Sequence, residues 1–257
     1  GLSRMMVTAI NEDYRGNIWV GTWGGGVTVF SGDDILVYNK SNGLEGLNVR
    51  FLFEDREQNM LIADYFQGLS IYKGNHFLTY DGEEFLPDNK VWAVSQDRKG
   101  RYWFGTNGGV AIFDPSGKGK ERLRIFNESR NNIGNNIRFI KPDKSGNVWV
   151  GTYGSGIYRY DLKAERFYFD TDLNGILHFD RTITALETDR SGKVWIGTNV
   201  GVAKWDPEKE EGYVYSQGDG LAGNLITALF TDSKGNIWIG SEMKAGLTRH
   251  LPGTDEF

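Results

Sequence analysis

The chain reads as an all-β protein, a β-propeller of six four-stranded blades. Three observations predict it: one aspartate-centred unit recurs six times, a tryptophan string follows the aspartate, and each period holds short apolar runs cut by Gly, Asn and Asp. The anchors are Asp13, Asp55, Asp97, Asp143, Asp189 and Asp232, separated by 42, 42, 46, 46 and 43 residues. The repeats run approximately over 1–42, 43–84, 85–130, 131–176, 177–219 and 220–257, and the whole of 1–257 is expected to form one propeller domain.

The elements follow in order from the third repeat, where VWAVSQ, RYWFGT, GVAIFD and LRIFN read as four strands. Between the first two, the D-x-x-G string suits a tight hairpin, with Asp opening the turn and Gly taking positive φ. That glycine is Gly16, Gly100, Gly146, Gly192 or Gly235, with Gln58 in the second repeat. Six residues after the anchor stand Trp19, Trp103, Trp149, Trp195 and Trp238, with Leu61 as the exception, and two further on come Gly21, Ala63, Gly105, Gly151, Gly197 and Gly240. The first strand is apolar on both sides, as in Ile183, Ala185 and Leu186, which suits a strand wedged between neighbouring blades. The tryptophans are then core, one indole per blade between adjacent sheets.

Composition narrows the function. The 257 residues include 35 glycines, no cysteine and 14% aromatics, which excludes a disordered or collagen-like chain. With 29 basic against 34 acidic residues and a net charge of -5, the chain has no general attraction for nucleic acid or an anionic membrane surface. Zero cysteine removes disulfides, thiolate metal sites and cysteine nucleophiles. No run of 18 apolar residues occurs, and GLSRMMVTAI lacks the layout of a signal peptide.

The pattern D-x-x-G-x-[IV]-W-[IV]-G-T-x-x-G-[GV]-[VI] resembles the two-component regulator propeller repeat, and the resemblance spans all six units. It implies an extracytoplasmic, periplasmic or extracellular, ligand-sensing propeller of a bacterial two-component receptor, with flanking receptor domains and an oligosaccharide as ligand class. A protein-interaction scaffold in secretion or surface assembly is the second expectation. A lyase-like or lactonase-like enzyme is the third. Gly1-Leu2 precedes Asp13 as Gly43-Leu44 precedes Asp55 and Gly220-Leu221 precedes Asp232, so the first residues are already repeat sequence. Twenty-three strands are readable where six full blades need twenty-four; the expectation is an excised piece, completed by a strand ahead of Gly1 or belonging to a seven-bladed parent.

The loops between second and third strands differ in every blade, GTWGGG, ADYFQG, GTNGG, GTYGSG, GTNVG and GSEMKAG, and share one end of the blades with the fourth-to-first connections. Variation on a rigid frame marks the face that binds. Ten residues after each anchor stand Trp23, Tyr65, Asn107, Tyr153, Asn199 and Glu242, with Phe66 beside Tyr65. Rings and amides suit a sugar's apolar faces and hydroxyls, and the same rings also serve simply to cover blade tips. Five residues before the anchors, Arg50, Trp92 and Arg138 join this set; the arginines suit a carboxylate or, equally, an ion pair with a neighbouring acid. Asn48, Asn89, Asn136 and Asn224 read as turn-capping residues. The three histidines, His76, His178 and His250, fall at unrelated repeat positions in or near outer strands. No catalytic residue, metal site or cofactor is expected.

Overall fold

The computed structural model describes every residue except 82–84, 132, 178–180, 243–245 and 255–256, and residues 120 and 130 by backbone alone. It is all-β with the propeller's repeated blade, and the chain divides into two compact units, Gly1–Arg130 and Asn131–Phe257.

In the first unit, blade 1 comprises β1 (Val7–Glu12), β2 (Ile18–Thr22), β3 (Gly26–Ser31) and β4 (Asp34–Tyr38). Blade 2 comprises β5 (Val49–Glu54), β6 (Met60–Asp64), β7 (Leu69–Tyr72) and β8 (Phe77–Tyr80). Blade 3 comprises β9 (Val91–Gln96), β10 (Tyr102–Thr106), β11 (Gly109–Phe113) and β12 (Leu123–Phe126). In the second unit, blade 4 comprises β13 (Ile137–Pro142), β14 (Asn147–Thr152), β15 (Ile157–Asp161) and β16 (Arg166–Phe169). Blade 5 comprises β17 (Ala185–Thr188), β18 (Val194–Gly197), β19 (Val202–Asp206) and β20 (Glu211–Tyr215). Blade 6 has three strands among the described residues, β21 (Ile226–Thr231), β22 (Ile237–Ser241) and β23 (Gly246–His250). Each sheet is an antiparallel meander in sequence order, as the repeat predicts.

The anchor aspartate organises each first hairpin. In blade 1, Asp13 Oδ1 accepts the backbone N–H of Arg15 and Asn17, while Oδ2 accepts the Asn17 amide at 2.8 Å and the Trp19 indole N–H at 2.9 Å. The indole bond recurs from Trp103 to Asp97, Trp149 to Asp143, Trp195 to Asp189 and Trp238 to Asp232, at 2.9–3.0 Å. Desolvation pulls the Asp13 carboxyl upward, but bonds from Trp19 and Asn17 outweigh it and hold the group below its ordinary value. Asp232 is lowered too, by its bonds from Asn236 and Trp238. At the turn glycine φ is 82° in Gly16 and 80° in Gly100, and Gln58 adopts the same left-handed region at 65°.

Blade 2 has no indole to offer, because Leu61 replaces it. The vacant acceptor is filled from the next blade: Tyr102 donates its hydroxyl to Asp55 Oδ2 at 2.8 Å and also contacts Glu57 Oε2 at 3.1 Å. Burial, followed by those two bonds, pushes the Tyr102 hydroxyl above the ordinary phenol range, so it stays a donor.

Blade-to-blade packing within each unit is apolar and close. Trp19 stacks on Tyr38 at 5.7 Å and meets Tyr72 of blade 2 at 5.3 Å, with Phe77 against both tyrosines. The same quartet recurs in the second unit as Trp195, Tyr215, His250 and Phe257. His250, expected with the outer strands, is therefore a buried residue on β23 wedged against the Trp195 indole; His178 lies outside the described residues. Glycine follows the Trp string because the next blade leaves no room for a Cβ. One built on Gly21 would lie 2.4 Å from Val49 Cγ1, on Gly151 2.8 Å from Ile183 Cγ2, and on Gly197 2.7 Å from Ile226 Cγ2. Hairpin turns are also tied together: Lys144 Nζ donates to the Arg190 carbonyl at 2.9 Å, and the Arg190 guanidinium donates to the Ser233 carbonyl.

Tyr102→Phe is expected to lower stability by about 1–3 kcal/mol by stranding the Asp55 carboxylate, measured by urea denaturation. Gly197→Ala should cost about 1–3 kcal/mol by overpacking against Ile226. Gly240→Ala should fall within about 0.5 kcal/mol, because its Cβ would meet nothing closer than Ala228 Cβ at an ordinary 3.4 Å.

Candidate functional site

The variable loops are held at both ends by bonds that the repeat supplies. In four blades a buried threonine at the end of the second strand caps the loop: Thr22, Thr106, Thr152 and Thr198 donate their hydroxyls to the carbonyls of Gly26, Gly109, Gly156 and Gly201. The residue ten after the anchor then donates its backbone N–H to the carbonyl seven before it. The pairs are Trp23 to Met6, Tyr65 to Asn48, Asn107 to Lys90, Tyr153 to Asn136 and Glu242 to Leu225. The loop tip is thus pinned to the fourth-to-first connection, and its side chain projects from a fixed base.

Blade 2 departs from the pattern in a useful way. Asp64 stands in the threonine position, and its carboxylate accepts three backbone N–H groups, from Phe66 at 2.6 Å, Gln67 at 2.9 Å and Asn48 at 2.7 Å. Burial nonetheless raises its pKa above the ordinary carboxylate value. Asp64 is what aims Tyr65 and Phe66, and it was not among the sequence-derived site residues; the signal was an acid where the other repeats carry Thr or Ser.

In the first unit the structure brings six of the expected residues together. Tyr65 sits at the centre, 5.3 Å from Trp23, 4.7 Å from Phe66 and 5.2 Å from Trp92 between ring centroids, the last two at nearly right angles. Trp23 also meets Phe66 edge-on at 6.3 Å. The Arg50 guanidinium lies 4.4 Å from the Trp92 ring centre, and Lys90 Nζ approaches the Tyr65 ring at 5.4 Å. Partial burial lowers the Arg50 pKa, opposed by the neighbouring Tyr65. Asn107, expected to offer its amide to a ligand, instead accepts the Trp92 indole N–H with Oδ1 at 2.7 Å and so fixes that ring. Phe66 is half exposed at the rim.

In the second unit Arg138 lies over the Tyr153 ring at 5.5 Å, and Tyr153 is 60% exposed. Asn199 and Glu242 occupy exposed loop tips. A depression of about 420 Å³ in this unit is lined by the first hairpin turns of blades 5 and 6 rather than by the variable loops. Three of its four cations are engaged: Arg190 with Ser233, Lys193 with Asp206 at 3.7 Å, and Lys204 over the Trp195 ring.

The chemistry available is a semi-rigid wall of rings carrying two cations, which suits apolar faces and anionic or hydroxyl groups of a small ligand. Among the described residues no group of three or more His, Cys, Asp or Glu is placed to hold a metal ion. His76 is exposed beside Asn75. No helix among the described residues is long and apolar enough to cross a membrane.

Comparison with known proteins agrees with this architecture. The family described as two component regulator propeller matches residues 1–24, 86–108, 132–154 and 220–243, in the first, third, fourth and sixth repeats. No curated protein sequence matches. The extracellular domain of the hybrid two component system BT3049 from B. thetaiotaomicron superposes with a TM-score of 0.77 at 19% identity, over 97% of this chain and 34% of its own. That of the one component system BT4673 from the same organism gives 0.79 at 21% identity, over 98% and 35%. Virginiamycin B lyase from Staphylococcus aureus gives 0.74 at 14% identity, over 98% and 83%. The chain thus spans about a third of the two extracellular domains, and at these identities the likeness is one of fold.

Asn107→Leu is expected to leave stability within about 1 kcal/mol of the parent while freeing the Trp92 indole, read as a change in near-ultraviolet circular dichroism without loss of the far-ultraviolet sheet signal.

Proposed function

We propose, from the match of four of its six repeats to the two component regulator propeller family, that the chain is the ligand-sensing propeller of an extracytoplasmic bacterial receptor and that it recognises an oligosaccharide. The observation that carries the reading is the Trp23–Tyr65–Phe66–Trp92 cluster with Arg50 and Lys90 against its rings. Exposed and half-buried rings on loops clamped at both ends are a preorganised platform, so little ordering entropy opposes stacking of a sugar. Arg50 and Lys90 add preference for a carboxylate or sulfate substituent. The BT3049 and BT4673 domains, described as extracellular parts of signalling systems, support the sensing role and the location. Signalling then requires that the ligand bind two receptor states unequally, since equal affinity shifts no equilibrium.

A non-enzymatic role is part of this reading, supported by the likeness to the extracellular domains of signalling systems. The likeness to virginiamycin B lyase lies in the fold, and fold alone carries no reaction.

The test is a thermal-shift screen against neutral and acidic oligosaccharides. A ligand at about 100 times its Kd adds about 2.7 kcal/mol, hence a shift of about 5–10 °C for a domain of this size. Trp23→Ala and Tyr65→Ala should abolish the shift while leaving the fold intact, and Arg50→Gln should weaken acidic sugars more than neutral ones. A saturable shift that survives both aromatic substitutions would move the site elsewhere, and a protein captured specifically in place of any sugar would favour the scaffold role.

A further inference from the structure

The wall of rings in the first unit is assembled from two variable loops, Trp23 from the one after β2 and Tyr65 and Phe66 from the one after β6. Both loops are bonded to one short stretch of backbone, Leu47 and Asn48, which leads into β5. On the blade 1 side, the Leu47 carbonyl accepts the N–H of Gly24 at 2.8 Å and of Gly26 at 3.1 Å, and Asn48 forms a backbone bridge with Trp23. On the blade 2 side, the Asn48 carbonyl accepts the Tyr65 N–H at 3.0 Å, and the Asn48 N–H donates to Asp64 Oδ2 at 2.7 Å.

That last bond needs a carboxylate. In the loop after β14, which closes over the same number of residues, Thr152 spends its hydroxyl inside its own loop, donating to the Gly156 carbonyl at 2.7 Å and accepting the Ser155 N–H at 2.9 Å. Asp64 has two oxygens and no proton to place. Oδ1 closes its own loop by accepting Phe66 and Gln67, and Oδ2 is left to reach across to Asn48. The approach is close: Asp64 is 2% exposed, and a Cβ on Gly46 would stand 2.7 Å from Asp64 Cβ. Glycine at 46 is what lets the connection come in against the carboxylate.

We propose that Asp64 is a positioning residue for the whole wall: through Asn48 it locks the loop that carries Trp23 to the loop that carries Tyr65 and Phe66. A ligand then meets one rigid surface in place of two loops that must be ordered separately, and less entropy is lost on binding. Its role in recognition rests on the reading of the wall as the ligand site. Its hold on Trp23, a ring in the neighbouring blade, does not.

The test uses the 257-residue chain labelled with 5-fluorotryptophan, the Trp23 fluorine line being assigned by Trp23→Phe, together with amide hydrogen exchange. Asp64→Asn keeps an oxygen for Phe66 and Gln67 but turns an amide NH2 toward the Asn48 N–H, donor against donor. Asp64→Thr installs the residue of the other repeats, which closes its own loop and reaches no further. Gly46→Ala leaves the carboxylate in place and pushes the connection away from it. Each should shift or broaden the Trp23 line and speed exchange at Gly24 and Gly26 by about 10-fold or more, with the Trp195 line and the far-ultraviolet sheet signal as in the parent. An unchanged Trp23 line and unchanged exchange in all three variants overturn the proposal. An equal disturbance at Trp195 overturns it too, since that marks general loosening. Both readouts are taken without sugar. With trigalacturonic acid as an acidic probe, binding should weaken about 10-fold in the two Asp64 variants, although neither removes a ring or a cation, and undiminished affinity overturns the role in recognition. No binding to the parent counts against the sugar reading, and the fluorine and exchange results then decide the lock by themselves.

Discussion

In five of the six blades the bond from the indole to the turn aspartate is what the rest of the blade depends on. A carboxylate with two oxygens satisfies backbone N–H groups through one and side-chain donors through the other, so a single residue fixes the hairpin, its twist and the position of the largest core side chain. Tryptophan suits this place because one edge of its ring is polar and the rest is not. Its N–H reaches the turn while its face packs against the next sheet, joining local turn chemistry to inter-blade burial.

From that fixed point the spacing of the blades follows. The indole sets how far the next sheet stands off, and two residues later the absent Cβ of glycine lets the next blade's leading Val or Ile come in against backbone. Large ring and missing side chain alternate along one strand, which gives the tight interdigitation of a packed interior. The same strand ends in the threonine that caps the variable loop, so the geometry of the candidate site is inherited from the core through only a few residues.

The repeat made the fold legible: six aspartates at a steady period locate nearly every strand, and the third repeat's predicted runs agree with β9 to β12 to within a residue or two at each end. What escaped was chemistry between residues with no repeat signature. Trp19 and Asp13 are visible as rows, but nothing in the rows says they bond. Tyr102 replaces a missing indole from a different blade, which a one-repeat reading cannot find. Asn107 was legible as an exposed amide on the binding face, but its partner, Trp92, lies fifteen residues away on a neighbouring strand, and only folded geometry turns a ligand contact into a ring support. His250 looked peripheral because its position is occupied by Tyr72 in blade 2, and the shared aromatic quartet appears only when the two blades are compared in space.

The borrowed hydroxyl in blade 2 bears on the order in which the chain acquires structure. Blades 1, 3, 4, 5 and 6 complete their anchor bonds from residues within seven positions of the aspartate, so each of those hairpins closes on local contacts as soon as it leaves the ribosome. Blade 2 waits for Tyr102, forty-seven residues further on, before its buried carboxylate has its full set of donors. Blade 2 thus reaches its full set of donors only together with blade 3, and until then its turn carboxylate holds the two donors of Asn59 and lacks the third.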